Sequence, residues 1–318
     1  MLFPPRGEGK PLIPPRFEYY APSTLDEAVE ILDRIGGEAK ILAGGQSLLG
    51  VMKLRLAEPK ALVDINRIPD LAFIREADGW LRIGATARTN DLNDSDLIKR
   101  HYPILSDAAS VIADPLVRNM GTVGGNVSHG DPANDLPACM LALGAQYVAH
   151  GPKGARTIPA DAFYQDSFVT ALAPNEILTE IQIPKARAHQ GNAYMKLEKR
   201  AGDFPIAGVA ANLVLGPVSP SGSPGGRSSR PGANLTIEWA GIALTAVGPT
   251  ALKATDAARS LIGKQPGATE FGDAAKLARA IAKPVSDLRG PANYKRAMVA
   301  VLAGRALTLA AKRAQGGS

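Results

Sequence analysis

Two glycine pairs constrain this chain more than any other feature. The first lies in AGGQS at 43–47, between a short apolar run and a short apolar helical pattern that runs through Met52. The second lies in TVGGN at 122–126 and is followed by VSHGDPANDLP at 127–137. Paired glycines let successive backbone N–H groups point into one concavity, and they admit a ligand where a Cβ would collide. A helix starting just after such a turn adds its unpaired N–H groups. Gln46, Ser47, Asn126 and Ser128 put side-chain donors and acceptors at equivalent offsets. Two such nests in one domain can hold the two phosphates of a pyrophosphate; ordinary tight turns are the competing reading.

The familiar nucleotide and nucleophile loops do not match. The chain has no GxxxxGK[ST] and no GxGxxG after a strand, and Ser47 in GQSLL lacks the second glycine of a nucleophile elbow. His101, His129, His150 and His189 form no HExxH and no close pair, so no metal site is expected. Asp131 and Asp135 are four apart, a spacing that suits paired carboxylates. Asp135 also precedes Leu136-Pro137 at a helix start, where capping is an equally good role.

Around these loops the pattern reads as α+β. Ser23 and Thr24 are N-cap candidates, and Thr24 and Glu27 stand at capping-box spacing. Leu25, Ala28, Val29, Leu32 and Ile35 then recur at helical intervals until Gly36-Gly37, which predicts an amphipathic helix. Ile41-Leu42 and Ala61–Ile65 read as strands. From Phe73 to about Ile183, strands such as Trp80–Ile83 alternate with helices near 103–112 and 135–142. After Pro184 come strands at Ala193–Leu197, Ile206–Leu215 and Leu235–Ala246, then alanine-rich helices ending at Lys312. A domain boundary is placed near 187, with residues 17–186 dividing further at about 66/67. The proline-rich start, residues 1–16, reads as an extension, and 217–232 (PVSPSGSPGGRSSRPG) as a low-complexity loop that cannot bury a core.

Composition narrows the function. With 318 residues the chain exceeds the usual size of one core, so about two domains are expected. A single cysteine, Cys139, excludes a disulfide framework and any iron–sulfur cluster or zinc ribbon held by this chain. The net charge of +6 is spread out, and only 5% of residues are aromatic, which argues against a nucleic-acid surface. No stretch approaches the ~18 apolar residues that cross a bilayer, and the first residues lack a signal-peptide core. A cytoplasmic location is expected.

Several strings in order then carry a family resemblance: YYAPSTLDEAVEIL (19–32), AGGQSLLGVMKLRLAEPKALVDINRI (43–68), IGATART (83–89), NMGTVGGNVSHGDPANDLPACMLALGA (119–145) and YMKLEKRAGDFPIAGVA (194–210). The chain resembles, from about residue 17 to its end, the FAD-binding medium subunit of the molybdenum hydroxylases. This is the carbon monoxide dehydrogenase and xanthine dehydrogenase group, whose flavin domain is of the PCMH type. The resemblance implies two N-terminal α/β subdomains that enclose non-covalent FAD, followed by a C-terminal α+β domain with an antiparallel sheet and helices.

Residue by residue, it places one pyrophosphate loop on Ile41, Leu42, Ala43, Gly44, Gly45, Gln46, Ser47 and Leu48. It places the other on Thr122, Val123, Gly124, Gly125 and Asn126, with Asp135 at the ribose or adenosine end. Nearer the flavin ring it implies Ile112, Leu178 and Lys196, with Tyr194 as a ring neighbour; a solvated strand lysine is the plain alternative for Lys196. It further implies an electron-transfer subunit of a heterotrimer, itself dimerised. A small partner subunit would carry two [2Fe–2S] clusters and a large partner subunit the molybdopterin. Two other readings stay open on the residues alone: a self-contained flavin reductase of the enolpyruvyl-sugar type, and a nucleotide- or anion-binding scaffold without redox chemistry.

Overall fold

The computed structural model describes residues 13–217 and 235–317. Most of the proline-rich start and nearly all of the low-complexity loop therefore lie outside the described residues. The architecture is mixed α+β in three sheets of consequence, with a two-stranded ribbon, Tyr164–Asp166 and Val169–Thr170, beside them.

The first sheet is parallel, in the order Glu18–Tyr20, Ala61–Asp64, Ala39–Leu42. Parallel strands need crossovers; the helix Leu25–Ile35 links the two outer strands, and the helix Leu48–Lys53 links Ala39–Leu42 to its neighbour Ala61–Asp64. The start of the helix Leu25–Ile35 is fixed chemically. Thr24 accepts the Glu27 N–H with its hydroxyl, and the Glu27 carboxylate accepts the N–H of Ser23, one residue earlier than the reciprocal bond of the usual capping box. Gly36 ends this helix at φ 71°. Its buried side, Ala28, Val29, Ile31 and Leu32, packs with Val63 and Ile65 into a small core of its own.

The second sheet is antiparallel throughout: Ile74–Ala77, Trp80–Gly84, Ile177–Pro184, Gln146–Gly151, Gly154–Pro159. The third is also antiparallel: Gln190–Leu197, Ala207–Pro217, Leu235–Thr245, Leu252–Lys253. The helices Ala268–Ile281 and Ala292–Ala314 cover one of its faces with Phe271, Val299, Leu302 and Leu307 among many alanines. Alanine suits this place because it lets a helix approach a sheet closely and has the best intrinsic helix propensity.

The helix Leu136–Leu143 joins the two larger sheets. All eight of its residues are buried, and it packs on both long strands of the third sheet. A helix that is apolar all round belongs inside a core. Polar contacts close the same interface. Arg313 clasps Asp107 through two bonds of 2.6 and 3.0 Å, and Asp107 also accepts the N–H of Tyr194. Asn192 accepts the N–H of Ile104 at 2.9 Å. The strand Gln190–Leu197 is thereby seated against the helix Pro103–Ser110, which presents Tyr194 and Lys196 to the centre of the molecule.

Candidate functional site

A cavity of about 700 Å³ opens where the three sheets converge. Of the residues singled out in the sequence, Ile41, Ala43, Gly44, Gly45, Gln46, Ser47, Leu48, Ile112, Thr122, Gly124, Gly125, Asn126, Asp135, Leu178 and Lys196 line it together. Leu42, Val123 and Tyr194 do not: Val123 is fully buried in the central core, and Tyr194 stands behind the wall.

The two glycine loops meet in this cavity but are built differently. In the first, Gly45 takes φ 70°, which turns the chain into the helix Leu48–Lys53. The backbone N–H groups of Gly44, Gly45, Gln46, Ser47 and Leu48 have no hydrogen-bond acceptor among the described residues, and Ser47 makes no side-chain cap. In the second, the N–H groups are already used. Val123 donates to Ala87 O at 2.8 Å, Gly124 to Ala85 O at 2.9 Å, Gly125 to the Thr122 hydroxyl at 3.0 Å and Asn126 to Thr122 O at 2.9 Å. The expectation of two equivalent nests therefore gives way to one open nest and one closed helix start, since Gly124 and Gly125 lie in the first turn of the helix Val123–His129 with Thr122 as its N-cap. The cause is tertiary: the segment Ala85–Ala87 lies alongside the second loop and takes its first two donors.

The glycines have a packing reason as well. A Cβ on Gly44 would lie 2.5 Å from Met120 O and 2.7 Å from the Gly121 Cα, so the first loop touches the backbone just ahead of the second. A Cβ on Gly124 would lie 2.6 Å from Ala85 O. Gly125 differs, since it is exposed and its Cβ would meet only the Thr122 hydroxyl closely, at 2.7 Å. Close approach between protein segments, and not only room for a ligand, accounts for Gly44 and Gly124.

On the far wall Asp135 precedes its helix with φ −78° and ψ −43° and makes no capping bond. Its carboxylate instead accepts the Tyr194 hydroxyl proton and pairs with Lys196 Nζ at 3.4 Å. Burial pushes the Asp135 carboxyl up to about 6, although Lys196 and Tyr194 pull it the other way. Lys196 is not a solvated strand lysine. Its side chain is 3% exposed, donates to Val111 O at 2.8 Å and lies 3.2 Å from Glu198. Of the lining residues, Asn126 keeps a buried acceptor, Oδ1, without a hydrogen-bond partner among the described residues, whereas the buried Glu198 Oε2 is ion-paired with Lys196. An unpaired buried acceptor is costly, so a ligand donor at Asn126 would be favourable.

Residues beyond those singled out also reach the cavity. His129 lines it against the Phe168 ring, 5.2 Å between centroids, and burial holds its imidazole below the ordinary value. Gly202, Asp203 and the half-exposed Phe204 form another stretch of wall, and Arg289 lies 5.5 Å over the Phe204 ring. Phe204 sits in the string RAGDFP, whose aromatic-after-Gly-Asp pattern was the one signal available. Lys40 lines the cavity too, and nothing in its strand context marks it.

A family model described as "FAD binding domain in molybdopterin dehydrogenase" matches residues 15–186, and one described as "CO dehydrogenase flavoprotein C-terminal domain" matches residues 192–310. The carbon monoxide dehydrogenase medium chain of Hydrogenophaga pseudoflava is 44% identical over 299 residues, covering 94% of this chain and 98% of that protein. Subunit alpha of the 6-hydroxypseudooxynicotine dehydrogenase complex of Paenarthrobacter nicotinovorans is 35% identical over 302 residues, covering 95% and 97%. A solved structure of carbon monoxide dehydrogenase from H. pseudoflava, in a form lacking the Mo-pyranopterin moiety of its cofactor, superposes with a TM-score of 0.86 at 46% identity, covering 95% of this chain and 99% of that one. Among the described residues no helix is long and apolar enough to cross a membrane.

Proposed function

Because this chain belongs to the family of FAD-binding medium subunits of molybdenum hydroxylases, we propose that its cavity holds FAD with the pyrophosphate on the Gly44–Leu48 backbone. The observation that carries this reading is the run of five N–H groups around Gly45, in a loop that lines the cavity, without an acceptor among the described residues. Hydrogen bonds from N–H groups to an ionised phosphate are among the strong ones, and a backbone nest supplies them without a charged side chain. Asn126 Oδ1 would accept from a hydroxyl or amide of the cofactor, and Thr122 and Ser128 would complete the polar wall. Ile112 and Leu178 give an apolar surface for the flavin ring. Lys196, fixed by Asp135, Glu198 and Val111 O, places a positive charge at that end.

Bound FAD supplies the exchange between one-electron and two-electron carriers. On this reading the chain is the electron exit of a heterotrimer, dimerised and cytoplasmic. Electrons would arrive from the [2Fe–2S] clusters of a small subunit, after substrate oxidation in a large molybdopterin subunit, and leave to an external acceptor. The lone Cys139, fully buried, suits a chain that holds no cluster of its own. The division near 187 into an FAD-binding and a C-terminal part belongs to the same reading.

The test uses the purified complex. A flavin spectrum that bleaches on anaerobic addition of substrate is expected, with carbon monoxide tried first because the relative at 44% identity is a carbon monoxide dehydrogenase medium chain. Gly125→Leu probes the site, since Gly125 is exposed and its Cβ would meet the Thr122 hydroxyl at 2.7 Å and nothing else nearer than Ala43 Cβ at 4.0 Å, without the backbone collisions of Gly44 and Gly124. It should leave the chain folded and empty of FAD. Full FAD retention in Gly125→Leu would sink the placement of the cofactor.

A further inference from the structure

We propose that Asn66 and Arg88 are positioning residues for the cofactor: together they form a side-chain clip that sets the gap between the two glycine loops. Asn66 follows the strand Ala61–Asp64, in the first part of the chain. It donates from Nδ2 to Ala43 O at 2.8 Å, which holds the first loop by the carbonyl that enters it. Arg88 follows the strand Trp80–Gly84, in the second part. It donates from one guanidinium nitrogen to Met120 O at 2.7 Å, on the segment entering the second loop. The other nitrogen donates to Asn66 Oδ1 at 2.9 Å, which closes the clip.

Each end is anchored. Asp64 accepts both the N–H of Asn66 at 2.9 Å and its side-chain amide at 2.7 Å, and is itself fixed by the Tyr19 hydroxyl at 2.6 Å. The Arg88 backbone is held by Asp91 at 2.8 Å and by a bridge to Thr122. Among the described residues this is the only side-chain hydrogen-bond route from one glycine loop to the other. The direct contact between the loops is the approach of Gly44 to the Met120–Thr122 backbone, which blocks closer contact without preventing separation.

The clip matters because the loops are unequal. The first carries the free N–H groups, whereas the polar atoms left on the second side are those of Thr122, Asn126 and Asp135. A ligand that spans both must find them at a fixed distance, and preorganisation of that distance lowers the cost of binding. Asn66 is exposed and Arg88 partly so, and bonds of this kind add little to global stability. Their effect should appear in cofactor affinity instead. An arginine is needed for geometric reasons, because its planar fork serves two acceptors at once and a lysine ammonium on a flexible stem does not reproduce it.

The inference rests on FAD occupying the cavity. Its test is FAD binding to the full chain stripped of flavin, followed by quenching of flavin fluorescence, with thermal unfolding of the apo chain alongside. Asn66→Ala and Arg88→Ala should each weaken FAD about tenfold, and the double variant should be no weaker than either single one, since both cut one route. Arg88→Lys should behave like Arg88→Ala, and apo unfolding temperatures should stay within about 3 °C of the parent. Unchanged affinity in the single variants overturns the clip. So does additive loss of about a hundredfold in the double variant, rescue by lysine, or affinity loss that merely follows a fall in apo stability. If the parent chain itself does not rebind FAD, the cavity assignment fails, and the clip falls with it.

Discussion

The segments 43–47 and 122–126 look alike in sequence, each with a Gly-Gly pair and polar residues, yet the fold sets the first ahead of the helix Leu48–Lys53 and the second inside the helix Val123–His129, and gives them different work. Among the described residues the first leaves five backbone donors open around a left-handed glycine. The second spends its donors on Ala85, Ala87 and its own Thr122 cap, and so serves as a rigid wall against which the first is braced. What remains chemically active on the second side is carried by side chains, above all Asn126 and the Asp135–Lys196 pair. Backbone donors keep their character at all ordinary pH values, whereas the Asp135 carboxyl, raised by burial, can titrate. The same short motif can thus be a binding element or a packing element, and the neighbouring segment Ala85–Ala87 decides which.

The sharpest way to break this contrast is to crowd both loops. Gly44→Ala and Gly124→Ala each drive a methyl into backbone atoms, at 2.5 Å from Met120 O and 2.6 Å from Ala85 O respectively. Each should cost about 3 kcal/mol of apo stability in urea unfolding, by overpacking. If either is neutral, the close approach does not explain that glycine.

Next in size is a pH effect confined to the second side. The folded Asp135 carboxyl is raised from 3.8 to about 6, so the folded state binds its proton more tightly than the unfolded chain does. The resulting stability is fully present below about pH 4 and is lost as pH rises to about 6, a change of about 3 kcal/mol. In Asp135→Asn that component of the pH slope should vanish, as measured by unfolding at pH 4.5 and 6.5. A variant with the parental slope would contradict the burial argument.

A smaller effect belongs to the first side. Gly45→Ala puts a Cβ at φ 70° and should cost about 1–2 kcal/mol, with weakened FAD binding, while Gly45→Asn recovers part of the stability because asparagine tolerates that region. The smallest effect is at the helix cap. Thr122→Ala removes both the cap on Gly125 and a hydroxyl of the proposed wall, and should cost about 1 kcal/mol in urea unfolding with FAD measurably weakened.

Much of the frame is readable from local pattern. The first helix spans Leu25–Ile35, as its apolar spacing predicts, because Thr24 and Gly36 mark both ends with chemistry that acts over a few residues. Ala61–Asp64, Trp80–Gly84 and the three long C-terminal strands fall where short apolar runs predict strands. Less legible is the helix Pro115–Met120, six residues long and with Leu116 and Met120 exposed, so that no apolar stripe announces it. The role of Asp135 was also undecidable locally. A cap and a charge partner need the same residue, and the partners that settle it, Tyr194 and Lys196, lie 59 and 61 residues away.

By itself, then, the sequence determined that this chain holds no cluster, that it turns tightly at two glycine pairs, and that its strings match a flavin-binding family. These are properties of composition and of short-range backbone sterics, which a linear reading contains. Only the tertiary structure decided which glycine pair keeps its donors, that Gly44 is small because another backbone presses on it, and that Phe204, Asn66 and Arg88 belong beside the site. Hydrogen-bond satisfaction and close packing depend on what lies across space, and residues far apart in the chain supply it.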